Sequence, residues 1–284
     1  MPPVSLSNNQ QKDYRSNSLW RLTLRRILRQ RNAVLGLVIL SFLILTAIFA
    51  DVIAPFEPEQ VLIGLEDGIK KRQDPCIHLL GCPKDQPQHL MGIDGNVRDQ
   101  FSRVVHGSRI SLMIGFTTIG FAIIIGTILG SMSGFFGGWV DNLIMRILDV
   151  LMAFPSLLLA ITIVSVLGPG LQNALLAIAI VTIPVYARVV RASVLSIKEM
   201  PYVAASRALG GSAFHILINR VLPNAIPPLI VTGTLGIGNA ILDAAALSFL
   251  GLGAKPPMPE WGTMLVSDRN TVFTVPRRVC YLGI

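Results

Sequence analysis

A chain of 284 residues that is 52% apolar and only 14% charged, with a mean hydropathy of +0.61, holds more apolar sequence than a water-soluble core of its size can bury. It reads as an integral membrane protein with room for roughly five or six spans. Three cysteines exclude a disulfide scaffold, and the net charge of +8 argues for nucleic acid only in a soluble chain, so here the placement of the bases decides.

Residues 1–32 carry seven bases, Lys12, Arg15, Arg21, Arg25, Arg26, Arg29 and Arg31, against one acid, Asp13. A basic leader directly before an apolar run keeps its end in the cytoplasm. The run at 33–50 is uncharged until its end, with no A-x-A cleavage site behind it, and reads as an uncleaved first span. The loop at 51–107 has nine acids and six bases, which places it on the opposite, extracytoplasmic side. A core at 108–250 follows, with spans expected at 110–134, 142–167, 174–197 and 226–250. Gly115, Gly120, Gly126 and Gly130 in the second span allow close helix approach. Pro155 and Pro184 in the third and fourth free backbone carbonyls, a feature of transporter joints and of membrane bundles generally.

Between the fourth and fifth spans, Arg188, Arg191, Lys198, Arg207 and Arg220 face one acid, Glu199. This agrees with a cytoplasmic loop by alternation, whose central part is 198–225. Within it, Tyr202, Ala205, Leu209 and Phe214 fall at near-helical spacing, and Gly210-Gly211 offers a stop. A short helix is expected there, suited either to docking in a groove or to lying on the headgroups. The tail, 251–284, falls outside by the same alternation.

Enzyme chemistry finds no support. None of the six lysines follows a glycine, so the phosphate loop of ATP hydrolysis is missing, and no H-E-x-x-H or G-x-S-x-G occurs. No cofactor is expected.

The pattern A-A-S-x-x-x-G at Ala204–Gly210, followed by Leu222-Pro223, resembles the EAA loop of permease subunits in binding-protein-dependent ABC importers. RQRNAVLGLVIL, HLMGIDGNVRDQFSRVVHGSRISL and LSFLGLGAKPPMPEWGTML resemble segments of the C-type permease of dipeptide, oligopeptide and nickel importers. The resemblance implies an all-α polytopic bundle of the type I importer kind in a bacterial inner membrane. It also implies half of a pore, completed by a second homologous permease, cytoplasmic ATP-binding subunits and an extracytoplasmic solute-binding protein. The lipid bilayer is its medium, nucleic acid is not a partner, and peptides lead nickel as substrate. Ala204, Ala205, Ser206, Arg207, Gly210, Leu222 and Pro223 then form the ATPase-coupling loop. The family usually has glutamate where this chain has Ala204 and alanine where it has Ser206, leaving one charged contact missing, with Glu199 as a partial substitute. The family also has a sixth span. No apolar run of that length follows residue 250, which leaves a frameshift, an early stop or a separately encoded remainder as readings.

Charged residues inside spans are candidates for the translocation pathway, since lipid is costly for them. Arg146 and Asp149 stand at i, i+3, where a local ion pair is expected ahead of a pathway role for Asp149. Asp243, near the outer end of the fifth span, could contact a peptide amine or a metal cation, or make a packing hydrogen bond. Cys76 and Cys82 bracket a short run in an oxidising compartment, and a disulfide is expected ahead of a metal site with His78 and His89. Asp94, Arg98 and Arg103 read either as a polar approach touched by a partner or as solvated charges. Two rival readings stand beside the importer: a lone secondary transporter or channel, and a non-functional truncated permease.

Overall fold

Backbone N–H and C=O groups in lipid must be satisfied within the chain, and apolar runs of span length therefore close into helices. The computed structural model describes residues 31–65, 68–78, 81–83 and 87–268. Among them every regular element is helical, apart from the isolated bridges Cys76–His89 and Ile93–Asp99. The basic leader at 1–30 and the tail beyond 268, including the expected missing span, lie outside the described residues.

The chain divides at Thr46–Ala47 into two compact units. Helix α1 (Arg31–Ile48) provides the first unit and runs about 27 Å at 1.5 Å per residue. The second opens with the short α2 (Ala50–Ile53). An irregular stretch then leads to α3 (Gln100–Phe136), α4 (Gly138–Met152), α5 (Ser156–Leu167) and α6 (Leu171–Ile197). Helices α7 (Pro201–Ala208) and α8 (Ala213–Ile216) follow, then a π-helical turn at Leu217–Val221, α9 (Leu222–Phe249) and α10 (Trp261–Asp268).

Among the described residues three helical stretches are long and apolar enough to cross a membrane, Gln100–Phe136, Leu171–Ile197 and Ala213–Phe249. The third apolar run, expected over 142–167 with a proline joint at Pro155, is broken there and not merely kinked. It breaks into α4 and α5, which meet at 90°, because Pro155 has no N–H to continue the ladder and disfavours helical geometry at Phe154. The π-helical turn has a related origin. Pro223 cannot close the ordinary bond to the Asn219 carbonyl, and the helix widens just before it.

Helices α3, α6 and α9 make the core. Gly126, Gly130 and Gly134 recur every fourth residue of α3 and form a groove that receives α6. A Cβ on Gly126 would stand 2.7 Å from the Tyr186 Cβ, and one on Gly134 3.0 Å from the Arg191 carbonyl oxygen. Against α9, a Cβ on Gly115 would stand 2.8 Å from Ile237, and one on Gly233 2.7 Å from Ile123. Lipid supplies no hydrophobic drive for pairing helices, so such close backbone packing holds the bundle. Gly120 differs from the other sequence-flagged glycines: open space surrounds it.

Candidate functional site

Helix α7 begins with Pro201 at its first turn, where a missing N–H costs nothing. Its Val203 is buried, together with Ile216, Leu217 and Val221, which presses the hairpin of α7 and α8 onto the bundle. The other side is open: Leu209 is 89% and Phe214 70% exposed, and Tyr202, Ala204 and Ala205 are exposed beside them. The turn between the helices is closed by Gly210 N–H to the Arg207 carbonyl at 2.9 Å and Gly211 N–H to the Ser206 carbonyl at 3.0 Å. Gly210 adopts φ +82°, a left-handed conformation that favours glycine. Space is not its constraint, since nothing lies within 4 Å of where its Cβ would be. At Gly211, by contrast, a Cβ would meet the Ser206 carbonyl oxygen at 2.8 Å.

The expected motif positions come together. Ala204, Ala205, Ser206 and Arg207 lie on α7, Gly210 in its closing turn, and Leu222 and Pro223 in the first turn of α9. The Asn224 amide donates to the Tyr202 hydroxyl at 3.3 Å, joining that turn to α7. The Arg207 guanidinium lies 5.9 Å from the centre of the Phe135 ring, and Lys198 Nζ donates to the Gly134 carbonyl at 2.9 Å. Both tie the α7 segment to the end of α3.

Two ion pairs stand close by. Arg191 of α6 grips Asp141 of α4 through Nε and an Nη atom, both at 2.6 Å, and the Ser133 hydroxyl donates to the same carboxylate. Arg188 donates to Asp149 at 2.6 Å. Asp149 is therefore paired across helices, not with Arg146 as its i, i+3 spacing suggested. Arg188 and Arg191 are helix-borne partners of acids and not bases of a polar loop. A fork-to-carboxylate grip adds geometry to charge. Arg191→Ala is expected to destabilise the chain by about 2 kcal/mol, between the exposed and buried pair ranges, read as a lowered Tm in detergent.

At the opposite end, the segment before α3 folds around buried charges. Asp94 accepts from the Arg98 side chain at 2.9 Å, with Arg103 Nε at 3.7 Å. Arg103 also donates to the carbonyls of Pro58 and Pro257. These three residues are buried, so they are neither solvated charges nor a surface open to a partner. Asp99 caps α3, accepting from Ser102 N–H at 2.7 Å and from the Ser102 hydroxyl at 2.6 Å. Its other oxygen lies 2.8 Å from His89 Nδ1. Cys76 and Cys82 are joined by a disulfide, with Cα atoms 5.4 Å apart. Glu260 caps α10 through the N–H groups of Gly262 and Thr263, both at 2.8 Å, and Trp261 Nε1 donates to the Val104 carbonyl at 3.1 Å. The Arg109 guanidinium, assisted by His106, holds the Asp51 carboxyl below the usual carboxylate range. That tie is complete above the usual range and is lost only as pH falls through the lowered value.

Asp243 sits half-buried in α9, and no packing hydrogen bond to it forms among the described residues.

The model of the binding-protein-dependent transport system inner membrane component matches residues 126–274, and that of the N-terminal transmembrane domain of oligopeptide transport permease C matches residues 18–75. The chain is 42% identical over 283 residues to the dipeptide transport system permease protein DppC of Alkalihalophilus pseudofirmus, covering 100% of this chain and 88% of that protein. It belongs to the binding-protein-dependent transport permeases. The di/tripeptide permease DppC of Pseudomonas aeruginosa is 43% identical over 242 residues, covering 85% of this permease and 77% of its relative. The glutathione permease GsiD of Pectobacterium atrosepticum is 39% identical over 257 residues, 90% and 81% of the two chains. Among solved structures, an inward-facing MetNI methionine ABC transporter chain matches the fold with a TM-score of 0.54 at 20% identity, over 64% of this permease and 87% of that chain. Membership makes the permease a multi-pass inner-membrane transport component, and it sets aside the lone secondary transporter.

Sequence reading placed the α7 motif but missed Asp141 and Gly134. The four-residue glycine spacing was the signal for the second. For the first, acid–arginine partners on different helices leave no local mark.

Proposed function

We propose that this permease is one of two homologous membrane subunits of an importer for dipeptides. Its N-terminus and the α7 end face the cytoplasm, two ATP-binding subunits drive it, and an extracytoplasmic binding protein delivers the solute to the opposite end. The exposed ledge of Leu209, Phe214 and Tyr202 carries this reading, because it presents apolar side chains on the braced α7–α8 hairpin beyond the bundle. An ATPase cleft that seats this ledge converts nucleotide-driven closure into tilting of α3 and α9, to which the α7 segment is tied through Arg207, Lys198 and Asn224. Dipeptide substrate follows from the relatives' names, and the glutathione permeases among them extend the class to other short peptides with a free amine.

Affinity purification of the tagged permease in mild detergent from its native cell, followed by mass spectrometry, tests the assembly. A second permease and ATP-binding subunits in comparable amounts are expected. Recovery of the permease alone would favour a remnant that inserts without assembling.

A further inference from the structure

Helix α9 packs into the bundle through Gly233, Ala240, Ala244 and Leu247. At the edge of its outer face stand Asn239, exposed, and Asp243, half-buried and one turn on. The other polar side chains of α9 are satisfied. Asn224, Thr232 and Thr234 donate to carbonyls in or just before the helix, and the Ser248 hydroxyl accepts from Ala254 N–H. The acids Asp141 and Asp149 of α4 have arginine partners. Among the described residues Asn239 and Asp243 have neither. A carboxylate and a carboxamide without partners are costly against hydrocarbon, and intramembrane acids accordingly face water-filled cavities or other polar groups.

We propose that Asn239 and Asp243 face the solute passage and that Asp243 receives the free ammonium group of the passing peptide, an assignment that rests on the peptide-import reading. The two side chains are four residues apart, about 6 Å along the helix. An ammonium paired with Asp243 therefore leaves the first peptide carbonyl within reach of the Asn239 amide. A primary ammonium presents three donors to a carboxylate and needs no cage. A divalent cation needs more ligands than one carboxylate and one amide supply. Asp243 stands six residues before Phe249, the end of α9, or about 9 Å. That end adjoins α10, away from α7, so a solute arriving there meets Asp243 within the first turns.

The test uses the complete importer, with its partner permease, ATPases and binding protein, in proteoliposomes. The readout is dipeptide imported per ATP hydrolysed. Asp243→Asn is expected to lower this ratio about tenfold, the loss of one charge-assisted hydrogen bond, and Asp243→Glu to restore most of it. An unchanged ratio in Asp243→Asn overturns the assignment and leaves peptide import standing. A parent complex that hydrolyses ATP and imports no peptide overturns both. A second measurement does not depend on the folding of the Asp243 variant. Asn239→Cys, in a chain whose Cys280 is serine, is treated with a membrane-impermeant quaternary ammonium thiol reagent. Labelling that dipeptide slows is expected, and labelling that dipeptide leaves unaltered, or no labelling, overturns the proposal.

Discussion

Leucine at Gly130 is expected to prevent assembly of the three-helix core. A Cβ there would fall on the carbonyl group of Ala187, with the Val190 Cβ only 3.0 Å away. The obstacle is backbone, fixed by the ladder of α6, and it cannot rotate aside as a side chain would. Gly126 and Gly134 lie in the same groove, so a local bulge is not available and the two helices must separate along several turns. Separation strips packing from Ala187, Val190 and Val194, all buried. Overpacking a well-filled site costs about 1–3 kcal/mol, and more where two backbones must part over several turns, a large share of the roughly 5–15 kcal/mol by which folded proteins are stable. The folded peak in size-exclusion chromatography should fall about tenfold. Gly120→Leu serves as the contrast, since nothing lies within 4 Å of its Cβ position, and parent-like recovery is expected. Parent-like recovery of Gly130→Leu would contradict the packing described.

Valine at Gly210 is expected to do the reverse: it spares assembly and removes coupling. The position is open to space but holds φ +82°. A β-branched residue there costs about 1–2 kcal/mol or more in left-handed strain. The α7–α8 turn relieves that strain by changing its dihedral angles, because its other ties are two backbone hydrogen bonds, Gly210 N–H to Arg207 and Gly211 N–H to Ser206. Such a change swings Leu209 and Phe214 relative to each other and spoils the ledge proposed to seat in the ATPase cleft. Binding-protein-stimulated ATP hydrolysis should drop about tenfold, as expected when a small misplacement breaks a docked contact, while membrane insertion and the size-exclusion profile stay those of the parent. Asparagine, which tolerates left-handed backbone better, should retain more stimulation than valine. Undiminished stimulation in Gly210→Val would count against docking through this turn.

The sequence spoke most clearly where one physical term dominates. Continuous apolar runs over 110–134 and 174–197 mark α3 and α6 because lipid leaves helices as the way to satisfy their backbone. Tyr202, Ala205 and Leu209 announced α7 through their spacing and Gly210-Gly211 its stop, while Phe214, included in the same spacing, falls on the next helix, α8. Pro155 was visible, but whether a proline kinks a span or breaks it by 90° depends on what packs on either side, which one chain position does not reveal. Pairings were the least legible. Asp149 has Arg146 three residues away and yet bonds to Arg188, thirty-nine residues on, because the crossing of α4 with α6 brings them together. Asp94, Arg98 and Arg103 looked like surface charges for the same reason. Their burial depends on Pro58 and Pro257, which reach them from distant parts of the chain. Asp243 was legible as an anomaly by its type and place, and the structure adds that the described helices give it no partner.

The most direct test of the central claim is ATP-dependent accumulation of a labelled dipeptide in proteoliposomes that contain this permease with its partner permease, ATPases and binding protein. Accumulation that requires both ATP and the binding protein, and that vanishes when the permease is omitted, is the predicted result. Accumulation that persists without ATP, or dipeptide excluded while ATP hydrolysis proceeds, would contradict it.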